Sequence, residues 1–117
     1  MSETDQIVSK LKEICVKYTD ILGLVILFGS FSRGEATKRS DIDLYVESKD
    51  LKMTTGKLMS SKRYRMFRND LYESFSQKFD VLTFGGKRDT GMVRQSKLWR
   101  EIKKDGVTIY DQGTETI

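Results

Sequence analysis

The stretch LFGSFSRGEATKRSDIDLYVE, residues 27–47, decides the fold. It continues an apolar run, Leu24-Val25-Ile26-Leu27-Phe28, breaks at Gly29-Ser30, and closes on Asp41-Ile42-Asp43-Leu44-Tyr45-Val46-Glu47. The first run is unbroken by polar residues and reads as a central strand buried on both faces. The second alternates: Ile42, Leu44 and Val46 point one way, and Asp41, Asp43, Tyr45 and Glu47 the other. Asp41 and Asp43 therefore share one face of a strand, with Cα atoms about 6.5–7 Å apart. Two like charges at that range on a low-dielectric surface repel, and a cation between them is the natural remedy.

A third expected strand is FDVLTF, residues 79–84, with Asp80 near its start. If that strand neighbours the second, Asp80 can join Asp41 and Asp43. Three convergent carboxylates make an oxygen-only site suited to Mg²⁺ or Mn²⁺, and such a metal bridges protein oxygens to phosphate oxygens. Gly29-Ser30 supplies a complementary half. A strand that ends in Gly-Ser and bends, with one helical turn expected near Ser30, exposes backbone N–H groups beside the Ser30 hydroxyl, and these suit an anionic phosphate. Glycine lets that backbone approach closely because it lacks a Cβ.

The rest of the chain frames these elements. Ile7, Leu11, Ile14 and Tyr18 lie on one face of an amphipathic helix over residues 3–21, capped by Ser2 or Thr4 and ended by Gly23. Tyr64, Phe67, Leu71 and Phe75 mark a second helix. Residues 90–104 read as one further helix, with Met92, Trp99 and Ile102 on its buried side, and Val107–Tyr110 as a short last strand. The order is α-β-β-α-β-α-β. The expected class is α+β, an α/β sandwich with a small mixed sheet of about four strands packed with helices.

Composition sets the bounds. A chain of 117 residues suits a single domain over 1–117, and 38% hydrophobic against 32% charged residues is a globular balance. No apolar run approaches the roughly 20 residues that cross a bilayer, the start MSETDQIVSK lacks a signal-peptide core, and Cys15 has no partner for a disulfide. The expectation is a cytoplasmic protein without a membrane partner. There is no histidine, so proton abstraction near neutral pH falls to a carboxylate, a lysine or bound water. The formal charge of +4 suits a nucleotide partner without demanding one. Lys62, Arg63, Arg65 and Arg68 could touch RNA, but they read better as the solvated face of a helix whose Tyr64 and Phe67 enter the core.

Three motif readings compete. Gly29-x₄-Gly34 begins like a P-loop, but Glu35-Ala36 stands where Lys-Ser/Thr is required. Asp41-x-Asp43 begins like a calcium loop, but Tyr45 and Val46 occupy positions that need an oxygen ligand and a glycine. An Asp-x-Asp glycosyltransferase fits the chemistry, but such enzymes use much larger domains.

Gly29-Ser30, ten further residues, then Asp41-Ile42-Asp43 resembles the G-S-x₁₀-D-x-D signature of the DNA polymerase β-like nucleotidyltransferases. More closely, GSFSRGEATKRSDIDLYVE is similar to the prokaryotic minimal nucleotidyltransferases: Gly34, Ala36, Ser40, Ile42 and Leu44 also fit their motif. FDVLTF resembles the family's third-carboxylate strand, and DGVTIYD, residues 105–111, its C-terminal end.

The resemblance implies a polymerase β-like fold and transfer of a nucleoside monophosphate, usually AMP from ATP, to a hydroxyl acceptor with release of pyrophosphate. It implies that Asp41 and Asp43 hold two Mg²⁺ (or Mn²⁺) ions, and that Asp80 binds the catalytic metal and helps deprotonate the acceptor. Gly29 and Ser30 would hold the β- and γ-phosphates. Arg33 and Arg39 flank the loop and are candidates to neutralise pyrophosphate. It further implies a HEPN-domain partner, with a tyrosine of that toxin as acceptor, and the role of antitoxin in a type VII-like toxin–antitoxin pair. Nucleic acid is not the expected direct substrate, and a homo- or hetero-oligomer is open. Two alternatives stand beside this reading: a non-catalytic antitoxin that occludes its partner, and a small-molecule nucleotidyltransferase.

Overall fold

In the computed structural model, which describes residues 2–37 and 39–115, the first helix starts at a reciprocal cap. Ser2 Oγ accepts from the Asp5 N–H at 3.1 Å, and the Asp5 carboxylate accepts from the Ser2 N–H. This helix, α1 (Glu3–Cys15), buries Ile7, Leu11, Ile14 and Cys15 and tightens into a 3₁₀ turn at Val16–Tyr18. Gly23 does not end it. Gly23 lies instead inside the first strand, where an added Cβ would meet the Ser48 carbonyl oxygen at 2.5 Å.

Strands β1 (Leu22–Phe28), β2 (Ile42–Ser48), β3 (Phe79–Phe84) and β4 (Val107–Asp111) form one mixed sheet in the order β3-β2-β1-β4. β1 pairs antiparallel with β2 and β4, and β2 pairs parallel with β3. A parallel neighbour needs a crossover. Helices α2 (Thr55–Ser60) and α3 (Lys62–Ser74) provide it.

Both faces of the sheet are covered. On one, α1 and α3 pack Leu11, Ile14, Tyr64, Phe67 and Leu71 against Val25, Leu27, Ile42, Leu44 and Val46. On the other, Leu24, Ile26 and Tyr45 meet Val93 and Ile102. The expected helix over 90–104 is two helices, α4 (Gly86–Val93) and α5 (Lys97–Asp105). Ser96 starts the second by accepting from the Trp99 N–H at 3.3 Å. The turn between them rotates Met92 off the shared stripe, so it is 64% exposed rather than buried. The class is the expected α+β fold with a four-stranded mixed sheet. None of the described helices is long and apolar enough to cross a membrane.

Candidate active site

The end of β1 and the start of β2 meet because the two strands are antiparallel: Phe28 stands opposite Asp43. The chain leaves β1 at Gly29 with φ +76°, a left-handed backbone. A Cβ added there would overlap Asp43 Oδ2 and stand 3.0 Å from its Cγ. The turn is thus packed directly on the Asp43 carboxyl, and only glycine combines that backbone with that approach.

Residues 30–34 run through successive turns and form no helix, in contrast to the expected helical turn at Ser30. The Arg33 N–H donates to the Gly29 carbonyl at 3.3 Å, the Glu35 N–H to the Ser30 carbonyl at 2.9 Å, and Ser32 Oγ to the Gly29 carbonyl at 2.8 Å. The carbonyls are so drawn into the turn, while the backbone N–H groups of Ser30, Phe31 and Ser32 donate to none of the described backbone groups. Phe31, only 1% exposed, anchors the loop, and its carbonyl accepts from Thr4 Oγ1 of α1 at 2.9 Å.

Asp43 and Asp80 are register partners on neighbouring parallel strands. Their Cα atoms are therefore about 4.8 Å apart in the pairing direction, with side chains on one face. Asp43 is half-buried, while Asp80 and Asp41 are exposed, the latter just before β2. Burial, then the Asp80 and Asp41 charges, push the Asp43 carboxyl above its ordinary value, and Arg33 opposes them. Arg33 also pairs with Glu35 at 3.1 Å. Arg39 is exposed; its N–H bonds to Thr37 Oγ1 at 3.3 Å, and none of its described contacts reaches the carboxylates. The structure thus gathers Gly29, Asp43 and Asp80 closely, sets Asp41 and Arg33 within electrostatic reach, and leaves Arg39 outside.

Sequence reasoning did not find the opposite wall. Beside the glycine turn, a cleft of about 380 Å³ runs between Phe28, Gly29 and Arg33 on one side and Leu98, Glu101, Ile102, Lys104 and Asp105 of α5 on the other; it adjoins the turn and is not lined by Asp43 or Asp80. α5 is held in place by a network that polar alternation alone describes wrongly. Tyr45 and Glu47 do share the Asp43 face, yet they are 0% and 4% exposed. Glu47 accepts from Tyr45 OH at 2.5 Å and from Arg94 Nε and Nη2 at 2.9 and 2.5 Å. The Arg94 guanidinium lies 5.1 Å from the Trp99 ring centroid, and Trp99 packs on Tyr45 at 5.3 Å. The basic residues of α3 are also used internally: Arg63 bonds Asp20 and the Lys17 carbonyl, and Arg68 lies against Tyr64 and Tyr72.

Among the described residues no three His, Cys, Asp or Glu side chains stand close enough to form a ready-made metal cage. The donor set still fits a hard divalent cation. It is all oxygen, and Asp43 carries the penalty of burial beside two like charges that a cation removes.

The family model described as polymerase beta, nucleotidyltransferase, matches residues 9–115. Among solved structures, a toxin–antitoxin with AMP-PNP superposes with a TM-score of 0.60 at 19% identity, over 92% of this chain and 76% of that one. A candidate nucleotidyltransferase from Sulfolobus solfataricus does so with 0.56 at 22% identity, over 94% and 85%. A complex of a tri-AMPylated Shewanella oneidensis HEPN toxin with an MNT antitoxin gives 0.56 at 17% identity, over 96% and 76%. At these identities the likeness is one of fold. No curated protein matches the chain in sequence.

Proposed function

Because this chain belongs to the polymerase beta nucleotidyltransferase family, we propose that it transfers AMP from ATP to a hydroxyl group of a HEPN-domain partner and thereby acts as an antitoxin. The observation that carries this reading is the in-register pair Asp43 and Asp80 beneath a glycine turn packed on the Asp43 carboxyl. The solved complex of a tri-AMPylated HEPN toxin with an MNT antitoxin supports AMP as the group transferred and such a toxin as acceptor; the acceptor hydroxyl is proposed to be a tyrosine's. The toxin–antitoxin with AMP-PNP supports a nucleoside triphosphate as donor. The domain is proposed to span residues 1–117 and to act in the cytoplasm.

Asp41, Asp43 and Asp80 would hold two Mg²⁺ or Mn²⁺ ions, which when bound supply charge neutralisation at the α-phosphate and acidify the acceptor hydroxyl. The chain's own residues do the rest. The N–H groups of Ser30, Phe31 and Ser32, which donate to no described backbone group, would with the Ser30 hydroxyl donate to the β- and γ-phosphate oxygens. Arg33 faces the same end of the cleft and balances charge on the leaving group. Arg39 would join it only if its stretch swings inward around the triphosphate. Asp80 accepts the proton of the acceptor hydroxyl; the new bond joins that oxygen to the α-phosphorus, and the bond to the bridging oxygen breaks as pyrophosphate leaves.

The test is transfer of label from ATP to a HEPN partner with Mg²⁺ present. Labelled partner supports the reading, and Asp43→Asn and Asp80→Asn should each lower the rate roughly a thousandfold or more, the several kcal/mol supplied by metal-held charge. Wild-type transfer by Asp43→Asn would overturn the assignment. Tight binding of the partner with no label on it supports occlusion instead. Asp43→Asn should leave stability in metal-free buffer unchanged or raised, because it removes a like charge from a half-buried cluster.

A further inference from the structure

Strand β3 borders the sheet, with β2 on one side and no described strand on the other. Its pairing fixes which backbone groups are left over. The Ile42 N–H donates to the Lys78 carbonyl at 2.8 Å. In a parallel ladder every second residue of β3 then turns its N–H and C=O toward β2, namely Asp80, Leu82 and Phe84. Phe79, Val81 and Thr83 turn theirs outward, and these bond to none of the described backbone groups.

Border strands are usually kept from pairing with foreign chains by prolines, bulges or charges. β3 has no proline, and its register with β2 is unbroken from Phe79 to Phe84. The opposite border, β4, meets β1 through an irregularity between Val25 and Ile26. The one charge in β3, Asp80, belongs to the proposed active site. Two features flank this open edge. On the α3 side, the Arg68 guanidinium lies 5.9 Å from the Tyr64 ring centroid and 5.2 Å from that of Tyr72. It donates to Tyr64 OH at 3.1 Å, and Tyr64 OH in turn meets Thr83 Oγ1 of β3 at 2.6 Å. Arg68 makes no ion pair among the described residues, so a cation without a counter-charge stands beside the edge. Where β3 ends, a cavity of about 450 Å³ is lined by Phe84, Val93, Leu98 and the exposed Met92. The Thr55 hydroxyl and Asp89 carboxylate that also line it are bonded to each other at 2.7 Å.

We propose that an extended, acidic segment of a partner protein pairs with β3 as a further strand, setting a carboxylate against Arg68, an apolar side chain in the cavity and a hydroxyl-bearing side chain beside Asp80. Strand addition draws affinity from main-chain hydrogen bonds and specificity from alternate side chains. The side chain opposite Asp80 rises from the same face, with the strands about 4.8 Å apart, and its neighbour in sequence turns to the α3 side, toward Arg68. A second copy of this chain would bring another unpaired Arg68 to that side, so the charge favours an acidic partner. The inference rests on the transferase reading and describes how the acceptor hydroxyl reaches Asp80.

The test uses the full chain in EDTA and a blocked peptide of sequence threonine-valine-glutamate-tyrosine-valine-threonine. Residue-resolved amide exchange should slow at Phe79, Val81 and Thr83 and stay within about twofold at Asp80, Leu82 and Phe84, which already bond to β2. Fluorescence anisotropy of labelled peptide should show binding about tenfold or more weaker to Arg68→Glu. Val81→Pro removes an outward N–H and no bond to β2, so it should abolish binding. Circular dichroism checks folding; if Val81→Pro unfolds, Arg68→Glu and the peptide with lysine for glutamate carry the same test. Unchanged exchange at millimolar peptide, equal binding of the lysine peptide, displacement by oligouridylate, or the same protection in the chain alone as its concentration rises overturns the proposal. Label transfer separates the two claims. A HEPN partner labelled by Arg68→Glu and Val81→Pro with wild-type KM overturns this inference and leaves the transferase reading. Peptide docking at β3 without any label transfer by wild type overturns that reading and supports the docking edge.

Discussion

A methyl group at position 29 meets two obstacles at once. The backbone sits at φ +76°, where a side chain costs about 1–2 kcal/mol, and the Cβ would overlap the Asp43 carboxylate. Gly34 separates the two effects, because its φ is +72° but nothing lies within 4 Å of an added Cβ. Gly34→Ala should therefore lose only the backbone cost, about 1–2 kcal/mol in urea unfolding, while Gly29→Ala should lose more and move Asp43 as well. Label transfer should survive Gly34→Ala and fall sharply in Gly29→Ala. Equal losses in the two variants would show that the turn does not bear on Asp43. Residues of this kind were legible from sequence because a strand has a period of two: alternation alone put Asp43 on one face, and the FDVLTF run placed Asp80 on a strand. The parallel register that makes them neighbours is a long-range fact and was not legible. Nor was the difference between Arg33 and Arg39, which is decided by the path of the loop.

The elements around the site carry a similar lesson. Tyr45 and Glu47 alternate with buried residues, so pattern alone sends them to solvent; the structure covers them with α4 and α5 and satisfies Glu47 through Arg94. The split between those helices was hidden because Met92, Trp99 and Ile102 are spaced as one continuous stripe would space them. The local signal for the break was Ser96, a helix-starting cap. The network also makes a quantitative claim. Breaking a buried pair costs about 3–5 kcal/mol, but the Arg94 side chain is 49% exposed, so screening reduces this. Arg94→Met should cost about 2 kcal/mol, since Glu47 is left buried with Tyr45 OH alone. Adding Glu47→Gln should recover about 1 kcal/mol, because no charge then remains to desolvate. Urea unfolding of the two single variants and the double variant measures this coupling; strict additivity would mean that solvent already screens the pair. The same Arg94→Met change frees Trp99 and loosens α5, so it should raise KM for ATP more than it lowers kcat.

At the scale of the molecule, the segment that follows α1 is held to α3 by contacts that titrate. The Arg63 guanidinium bonds Asp20 Oδ1 and Oδ2, both at 2.9 Å, and Tyr18 OH donates to Asp70 Oδ2 at 2.5 Å, with Lys17 3.2 Å from the same carboxylate. Together they tie the segment after α1 to α3. Arg63 lowers the pKa of Asp20, and the hydrogen bond from Tyr18, with Lys17, lowers that of Asp70. A carboxylate depressed in the folded state stabilises it above the ordinary carboxylate pKa of about 4 and loses that contribution as pH falls through the folded value. Stability should therefore be level from neutral pH down to about 5 and then decline, and Asp70→Asn should flatten the decline. Tyr18 gives the opposite sign. Burial and the Asp70 hydrogen bond raise its phenol to about 12, so its contribution is complete below about 10 and is lost as pH rises toward 12. Tyr18→Phe should remove the alkaline loss and part of the acid one, because the two share a hydrogen bond. Chemical unfolding measured from pH 3 to about pH 12 on wild type, Asp70→Asn and Tyr18→Phe resolves both limbs. If the acid limb keeps its slope in Asp70→Asn, α1 and α3 are held together by their apolar faces alone, through Leu11, Ile14, Phe67 and Leu71, and the ionic ties only set their register.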